Sequence, residues 1–145
     1  MFAILPKSLW IAVGVQVISQ VFKFLQRSIL ERRLSWRNLV TFGGMPSAHS
    51  AFVTALAISI AVYAGLGSDL FGLAAVFGAI VIFDAYKLRG NVQQQARILN
   101  RVQAQLFQPE DRLVINEHVG HTLPEIVAGI VFALVLALPA ALLWK

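Results

Sequence analysis

Residues 50–86, SAFVTALAISIAVYAGLGSDLFGLAAVFGAIVIFDAY, decide the fold of this chain. They contain two apolar runs, 50–67 and 70–86, which are separated only by the turn at 66–69. Each run has close to the ~17–25 residues that a helix needs to cross the hydrocarbon core of a membrane. The short turn predicts a tight antiparallel hairpin of two membrane-spanning helices, with Asp69 as the N-cap of the second.

Two further apolar runs, 8–25 and 123–144, lie on either side of this hairpin. Hydrophobic residues make up 58% of the 145-residue chain and charged residues only 13%, whereas roughly a quarter of the residues in soluble domains are charged. The sequence therefore predicts one all-α domain over residues 1–145, an integral membrane bundle of four transmembrane helices. The first helix carries Gln16, Gln20 and Lys23 as a polar stripe, which should face the other helices.

The basic residues predict the orientation of the bundle. Ten of the twelve lysines and arginines lie on one side of it, since only Lys7 and Lys145 lie beyond the outer helix ends. The turn at 66–69 has none. By the positive-inside rule the basic side is cytoplasmic and both termini lie outside. We interpret the net charge of +5 as orienting the protein and contacting anionic lipid or phosphate, and not as binding nucleic acid.

The long cytoplasmic loop at 88–117 has helical periodicity. Its apolar residues recur at spacings of four, three, three and four: Val92, Ala96, Leu99, Val102 and Leu106. This spacing is typical of an amphipathic helix. Two placements remain open, one on the membrane surface or across the helix ends and the other packed on the bundle. Because the chain has no cysteine, disulfides, thiolate metal sites and cysteine nucleophiles are excluded.

Three polar segments should meet at the cytoplasmic ends of the helices: GGMPSAHS at 43–50, DAYKLR at 84–89 and EHVGHTLPE at 117–125. We expect seven candidate side chains to converge there: His49, Asp84, Lys87, Arg89, Glu117, His121 and Glu125.

The first of these segments has the features of an anion site. Pro46 suits the first turn of a helix, where its missing N–H costs nothing. The amides of Ser47, Ala48 and His49 would then point towards an anion at the positive end of the helix dipole. Gly44 and the glycine before it allow the backbone to approach closely.

The third segment places His121 and Glu125 four residues apart, on one helical face. A carboxylate in that position can accept the imidazole N–H, fix its tautomer and stabilise the imidazolium. Phosphoryl transfer requires such a nucleophile, an acid for the leaving oxygen, and cations around the phosphoryl oxygens. The three segments together therefore predict phosphate chemistry.

The segments GGMPSAHSAFVTALA, FDAYKLRGNVQQQARILN and EHVGHTLPEIVAG resemble the divergent branch of the type 2 phosphatidic acid phosphatase superfamily. The resemblance covers about 13–132 and keeps the order of the three blocks. The superfamily includes lipid phosphate phosphatases and vanadium haloperoxidases. The resemblance implies that His49 is the general acid, Ser47 a phosphate ligand, His121 the nucleophile and Glu125 its orienting carboxylate. It also implies hydrolysis through a phosphohistidine, with no metal or other cofactor.

Two blocks of the parent pattern are absent. Ile115 occupies the position of a phosphate-binding arginine, and Arg37 is followed by asparagine where the K-x6-R-P block has proline. The phosphate cations must therefore come from elsewhere. We expect Arg89 and Lys87 to replace them first, and Arg97 and Arg37 next.

The acidic candidates have supporting roles in this interpretation. For Asp84 a salt bridge to Lys87 or Arg89 competes with a role in positioning those cations or binding Mg²⁺. Glu117 is expected to be a helix-end residue or the partner of an arginine, with a catalytic role as the alternative.

A site on the cytoplasmic face favours a lipid phosphate made in the inner leaflet of a bacterial inner or thylakoid-like membrane. Phosphatidylglycerophosphate fits best, followed by phosphatidic acid and isoprenyl phosphates or diphosphates. The alternative is a non-catalytic membrane protein that binds or translocates anionic lipids with the same cationic pocket. Four short helices leave little bundle surface to shield the polar residues, which leaves a homodimer open.

Overall fold

The structure, a computed structural model, describes residues 5–32, 44–117 and 119–145. Within these ranges all regular structure is helical, which confirms the predicted all-α membrane bundle. The main helices are α1 (Lys7–Glu31), α2 (Ala48–Ala64), α3 (Asp69–Phe83), α4 (Arg89–Leu106) and α5 (Leu123–Leu143). The apolar helices α1, α3 and α5 belong to helical stretches that are long enough to cross a membrane, and α2 is a shorter apolar helix.

Helix α2 is the centre of the bundle, because α1, α3 and α5 all pack against it. The shared core of α1, α2 and α5 consists largely of small side chains, among them Ala12, Ala55 and Ala133, which are fully buried. Small residues allow helix backbones to approach closely in a membrane, where dispersion contacts and not the hydrophobic effect hold helices together. This close approach aligns the beginnings of α2 and α5.

The hairpin between α2 and α3 forms as predicted, but its cap differs. The Oγ of Ser68 accepts the N–H of Phe71 at 3.2 Å, and Ser68 has the extended backbone of an N-cap residue. Asp69 is already the first helical residue. The prediction of Asp69 as the N-cap is therefore wrong, because the capping side chain must belong to the last non-helical residue.

The predicted amphipathic helix is present as α4, but it is not a separate element. A π-helical segment, Asp84–Leu88, joins α3 to α4, and the whole helix Asp69–Leu106 has 38 residues. No proline interrupts the chain there. At 1.5 Å per residue this helix is about 57 Å long, well beyond the ~30 Å hydrocarbon core. Helix α4 must therefore extend past the core of the membrane.

The apolar face of α4 does not pack on the described part of the bundle. Ala96 is buried, whereas Val92, Leu99, Val102 and Leu106 remain exposed. Of the two placements that the periodicity left open, packing on the bundle is therefore wrong for the described residues.

The chain after α4 folds back along the same helix. The Nδ2 of Asn100 donates to the carbonyl oxygen of Ile115 at 2.9 Å and to Oε1 of Glu117 at 2.8 Å. The N–H of Gly120 donates to Oε1 of Gln93 at 3.1 Å. These hydrogen bonds hold the segment between α4 and α5 against α4. The segment ends at His121, immediately before α5.

Candidate active site

His121 lies immediately before α5 and is held by that helix's first turn. Its Nδ1 is 2.8 Å from Oε2 of Glu125, and the same oxygen accepts the N–H of Thr122 at 3.2 Å. The backbone N–H of His121 donates to the carbonyl oxygen of Ala85 at 3.1 Å. With Nδ1 taken up by the carboxylate, Nε2 is the nitrogen that can attack a substrate. The His121 side chain is only 4% exposed and is therefore well fixed.

His49 reaches the same place from the first turn of α2. Its ring centroid is 6.1 Å from that of His121, and the ring planes meet at 61°. The structure thus brings the two predicted histidines together.

Ser47 connects the two helices beneath these rings. It is fully buried. Its N–H donates to the carbonyl oxygen of Glu125 at 2.9 Å, and its Oγ accepts the hydroxyl of Ser50 at 3.1 Å. Ser47 is the N-cap of α2, so Pro46 precedes the cap and is not in the first helical turn as predicted. The amide of Ser47 is likewise taken up within the bundle and does not form part of an open anion site.

The acidic candidates hold two of the predicted cations. The Nε of Arg89 is 2.9 Å from Oδ2 of Asp84, so the salt-bridge interpretation of Asp84 is confirmed. The Nε of Arg97 is 3.8 Å from Oε2 of Glu117. Glu117 is therefore the partner of an arginine, as one of its two interpretations predicted. Among residues 5–32, 44–117 and 119–145, no three histidine or acidic side chains cluster closely enough to hold a metal ion.

The predicted cations are divided between two cavities. Arg89 lines a cavity of about 470 Å³ with His49 and Asp84. Lys87 and Arg97 line a different cavity of about 410 Å³ with His121. The two cavities share no lining residue, and the histidine rings, one in each cavity, have centroids 6.1 Å apart. Arg37, the remaining predicted cation, lies outside the described residues.

Helix α1 contributes two cations that the sequence analysis did not assign to the site. Lys23 is only 6% exposed and lies on α1, which packs against both α2 and α5. The guanidinium of Arg27 lies over Gly44, where a Cβ would be 3.3 Å from its Nη2. The position of Lys23 within an apolar run could have indicated its role, since ionisable residues in membrane-spanning helices commonly mark functional sites. The predicted polar stripe is confirmed in that Lys23 faces the bundle interior.

The close approach predicted at Gly44 is therefore to Arg27. Gly44 has a φ of 89°, a left-handed conformation that glycine adopts without strain. Its backbone and the Arg27 side chain fill the space beside the start of α2.

Two histidines, a carboxylate paired with one of them and nearby cations thus lie at one end of a helical membrane bundle. Residues 5–136 match the family model described as "Divergent PAP2 family", and the chain belongs to that family. This confirms the resemblance inferred from the three sequence blocks.

A relative and the solved structures complete the comparison. The chain is similar to the "Uncharacterized membrane protein YuiD" of Bacillus subtilis (strain 168). The two are 35% identical over 138 residues, covering 83% of this chain and 87% of that protein. No solved structure matches significantly.

Proposed function

We propose that this protein is a lipid phosphate phosphatase that hydrolyses a phosphomonoester through a phosphohistidine on His121. The observation that carries this proposal is the contact of 2.8 Å between Nδ1 of His121 and Oε2 of Glu125. Simple anion binding needs no imidazole oriented by a carboxylate. Membership of the divergent PAP2 family supports phosphate chemistry at this site.

In the first step, Nε2 of His121 attacks the phosphorus atom and the ester P–O bond breaks. The leaving oxygen keeps the electron pair and takes a proton from His49 as general acid. In the second step, a water molecule gives a proton to the now neutral His49 and attacks the phosphorus atom, and the P–N bond to His121 breaks. This releases inorganic phosphate and restores the His121 imidazole and the protonated His49. Glu125 stabilises the positive charge on the His121 ring while the phosphoryl group is attached.

The phosphoryl oxygens carry charge that neighbouring cations must neutralise. Arg89 and Lys87 flank the two histidines, and buried Lys23 adds a third charge from α1. Arg97 lies farther along the cleft and is paired with Glu117. This set replaces the arginine blocks of the parent pattern.

The proposed substrate follows from the proposed cytoplasmic orientation. A site at the cytoplasmic ends of the helices would meet lipids of the inner leaflet. Phosphatidylglycerophosphate fits this placement best, with phosphatidic acid and isoprenyl phosphates or diphosphates as further candidates.

The test is phosphate release by purified protein in detergent micelles, measured with each of these lipids. A matched sample of His121→Ala controls for contaminating phosphatases. We expect release by the native protein and none by the variant. Binding of the lipids without release would contradict the phosphatase and favour the non-catalytic alternative of anionic lipid binding or translocation.

A further inference from the structure

A polar cleft and an apolar groove meet at Leu123, two residues after His121. The cleft, of about 410 Å³, contains His121 together with two cations and three side-chain amides: Lys87, Arg97, Asn91, Gln93 and Gln94. The groove, of about 620 Å³, runs along α5 and is almost entirely apolar. Leu123 lines both of them. A path therefore leads from the histidine through polar surroundings to an apolar surface.

The cleft offers more hydrogen-bonding groups than one phosphoryl group can use. A phosphomonoester presents three non-bridging oxygens, and the ammonium group of Lys87 alone supplies three donors. Oε1 of Gln93 is occupied by the N–H of Gly120, which leaves its NH₂ group as a further donor. Asn91 and Gln94 can both donate and accept. The amides thus fit additional oxygen atoms in the part of the substrate next to the scissile phosphate.

The lining of the groove suits a hydrocarbon chain. Four of its residues, Leu123, Val127, Val131 and Val135, recur every fourth position along one face of α5. They span about 18 Å at 1.5 Å per residue. Each is at least half exposed, so no other described part of the protein covers them. Because the groove starts beside the His121 cleft, a chain lying in it would be joined to groups lying in the cleft.

We propose that the substrate is a lipid in which an oxygen-rich connector separates the scissile phosphate from the hydrocarbon chains. The phosphate lies at His121, the connector lies along the amides of the cleft, and one chain passes Leu123 into the groove. Phosphatidylglycerophosphate has such a connector, a glycerol and a phosphodiester, whereas phosphatidic acid has none. This inference rests on the proposed function and narrows its substrate class.

The cleft is tested with Gln94→Leu and its neighbour Gln95→Leu, an exposed position that does not line the cleft. Three substrates are compared in mixed micelles: phosphatidylglycerophosphate, phosphatidic acid and water-soluble p-nitrophenyl phosphate. Gln94→Leu should raise the KM for phosphatidylglycerophosphate roughly fivefold, as the loss of one hydrogen bond predicts. Gln94→Leu should leave the KM for phosphatidic acid and the KM for p-nitrophenyl phosphate unchanged. Gln95→Leu should change none of the three KM values. An equal effect on both lipids, or no effect on phosphatidylglycerophosphate, would overturn the proposal.

The groove is tested with Val131→Trp, which fills it. Val76→Trp is the matched control, since Val76 is also an exposed valine, on α3 and outside the groove. Val131→Trp should raise the KM for both lipids and leave that for p-nitrophenyl phosphate unchanged. If the two tryptophan variants behave alike, the groove does not hold the substrate chain.

Lipid binding, measured by the melting temperature of the protein, tests the substrate class independently of phosphatase activity. If the native protein released phosphate from none of the three substrates, the phosphatase would be wrong, and lipid binding would then decide the inference. Phosphatidylglycerophosphate should raise the melting temperature of the protein more than phosphatidic acid does, and Gln94→Leu should remove that difference. Equal shifts with the two lipids would overturn the inference.

Discussion

The rings of His49 and His121 meet edge to face, with centroids 6.1 Å apart, where α2 and α5 begin. Backbone contacts set this spacing. The N–H of Ser47 donates to the carbonyl oxygen of Glu125 at 2.9 Å, and Gly129 leaves room for the backbone of Ser47 to lie against α5. The relative position of the two candidate catalytic groups therefore depends on helix packing and not on contacts of the rings themselves.

The two histidines should differ in their dependence on the leaving group. His121→Ala should abolish turnover of every substrate, because no nucleophile remains. His49→Ala should lower kcat by about a hundred- to ten-thousandfold for lipid esters, the usual contribution of a general acid. It should lower kcat much less for p-nitrophenyl phosphate, whose leaving oxygen needs no proton. Full activity in purified His121→Ala would rule out the phosphohistidine.

Glu125 should support both catalysis and the start of α5. Glu125→Gln keeps an oxygen for the N–H of Thr122 but loses the charge opposite the His121 imidazolium. We expect kcat to fall about ten- to a hundredfold, as for a lost hydrogen bond to a charged group. Glu125→Ala should in addition lower the melting temperature in detergent, because loss of a capping interaction costs about 1 kcal/mol. Native kcat in Glu125→Gln would leave Glu125 with a capping role alone.

The charge distribution predicts which end of the bundle faces the cytoplasm. The chain has no cysteine, so single cysteines can report on accessibility. Leu66→Cys, in the exposed turn between α2 and α3, should react with an impermeant thiol reagent from outside the cell. Gln105→Cys, on exposed α4, should react only after the membrane is opened. Labelling of both from one side would contradict the proposed orientation.

Local features of this fold could be predicted from sequence. The four helices follow from runs of apolar residues, and the pairing of His121 with Glu125 follows from a spacing of four at a helix start. Both depend on residues that are close in the chain. The salt bridge between Asp84 and Arg89 could be predicted for the same reason, since the two residues are five positions apart in the chain.

Features that depend on how the helices pack could not be predicted from the sequence. Ser68 and Asp69 are both good N-cap residues, and only the exact start of α3 decides between them. The burial of Lys23 depends on how α1 is rotated in the bundle. The division of Lys87 and Arg89 between two cavities depends in the same way on the rotation of the helix through the π-helical segment.

Gly129 should be essential for the contact between α2 and α5. A Cβ at this position would collide with the carbonyl oxygen of Ser47. Gly129→Ala should therefore destabilise the protein by about 1–3 kcal/mol, the usual cost of overpacking a core, and lower its melting temperature. Gly72→Ala on α3 is the control, since a Cβ there has nothing within 4 Å. Equal melting temperatures for the two variants would show that α2 and α5 separate freely.

Arg89 should carry much of the phosphate binding that the parent arginines supply. Its Nε is engaged by Asp84 at 2.9 Å, which leaves the two terminal nitrogens for phosphoryl oxygens. Arg89→Lys keeps the charge, but lysine has a single nitrogen and cannot bind Asp84 and the phosphoryl oxygens through separate nitrogens. This substitution should therefore lower kcat. By analogy with the loss of an oxyanion donor, Arg89→Ala should cost about 2.7–4 kcal/mol, or roughly a hundred- to a thousandfold in kcat.

Arg97→Ala is the comparison for this prediction, because Arg97 lies farther along the cleft, is 3.8 Å from Glu117 and should matter much less. Lys23→Met tests the buried cation from α1. Replacing a buried charge by an apolar side chain of similar length should not unfold the bundle, so a loss of kcat at an unchanged melting temperature would assign Lys23 to the phosphate site. If Arg89→Ala left both kcat and KM unchanged while Lys23→Met abolished turnover, the phosphoryl group would be held from the α1 side. Arg89 would then serve only to anchor Asp84.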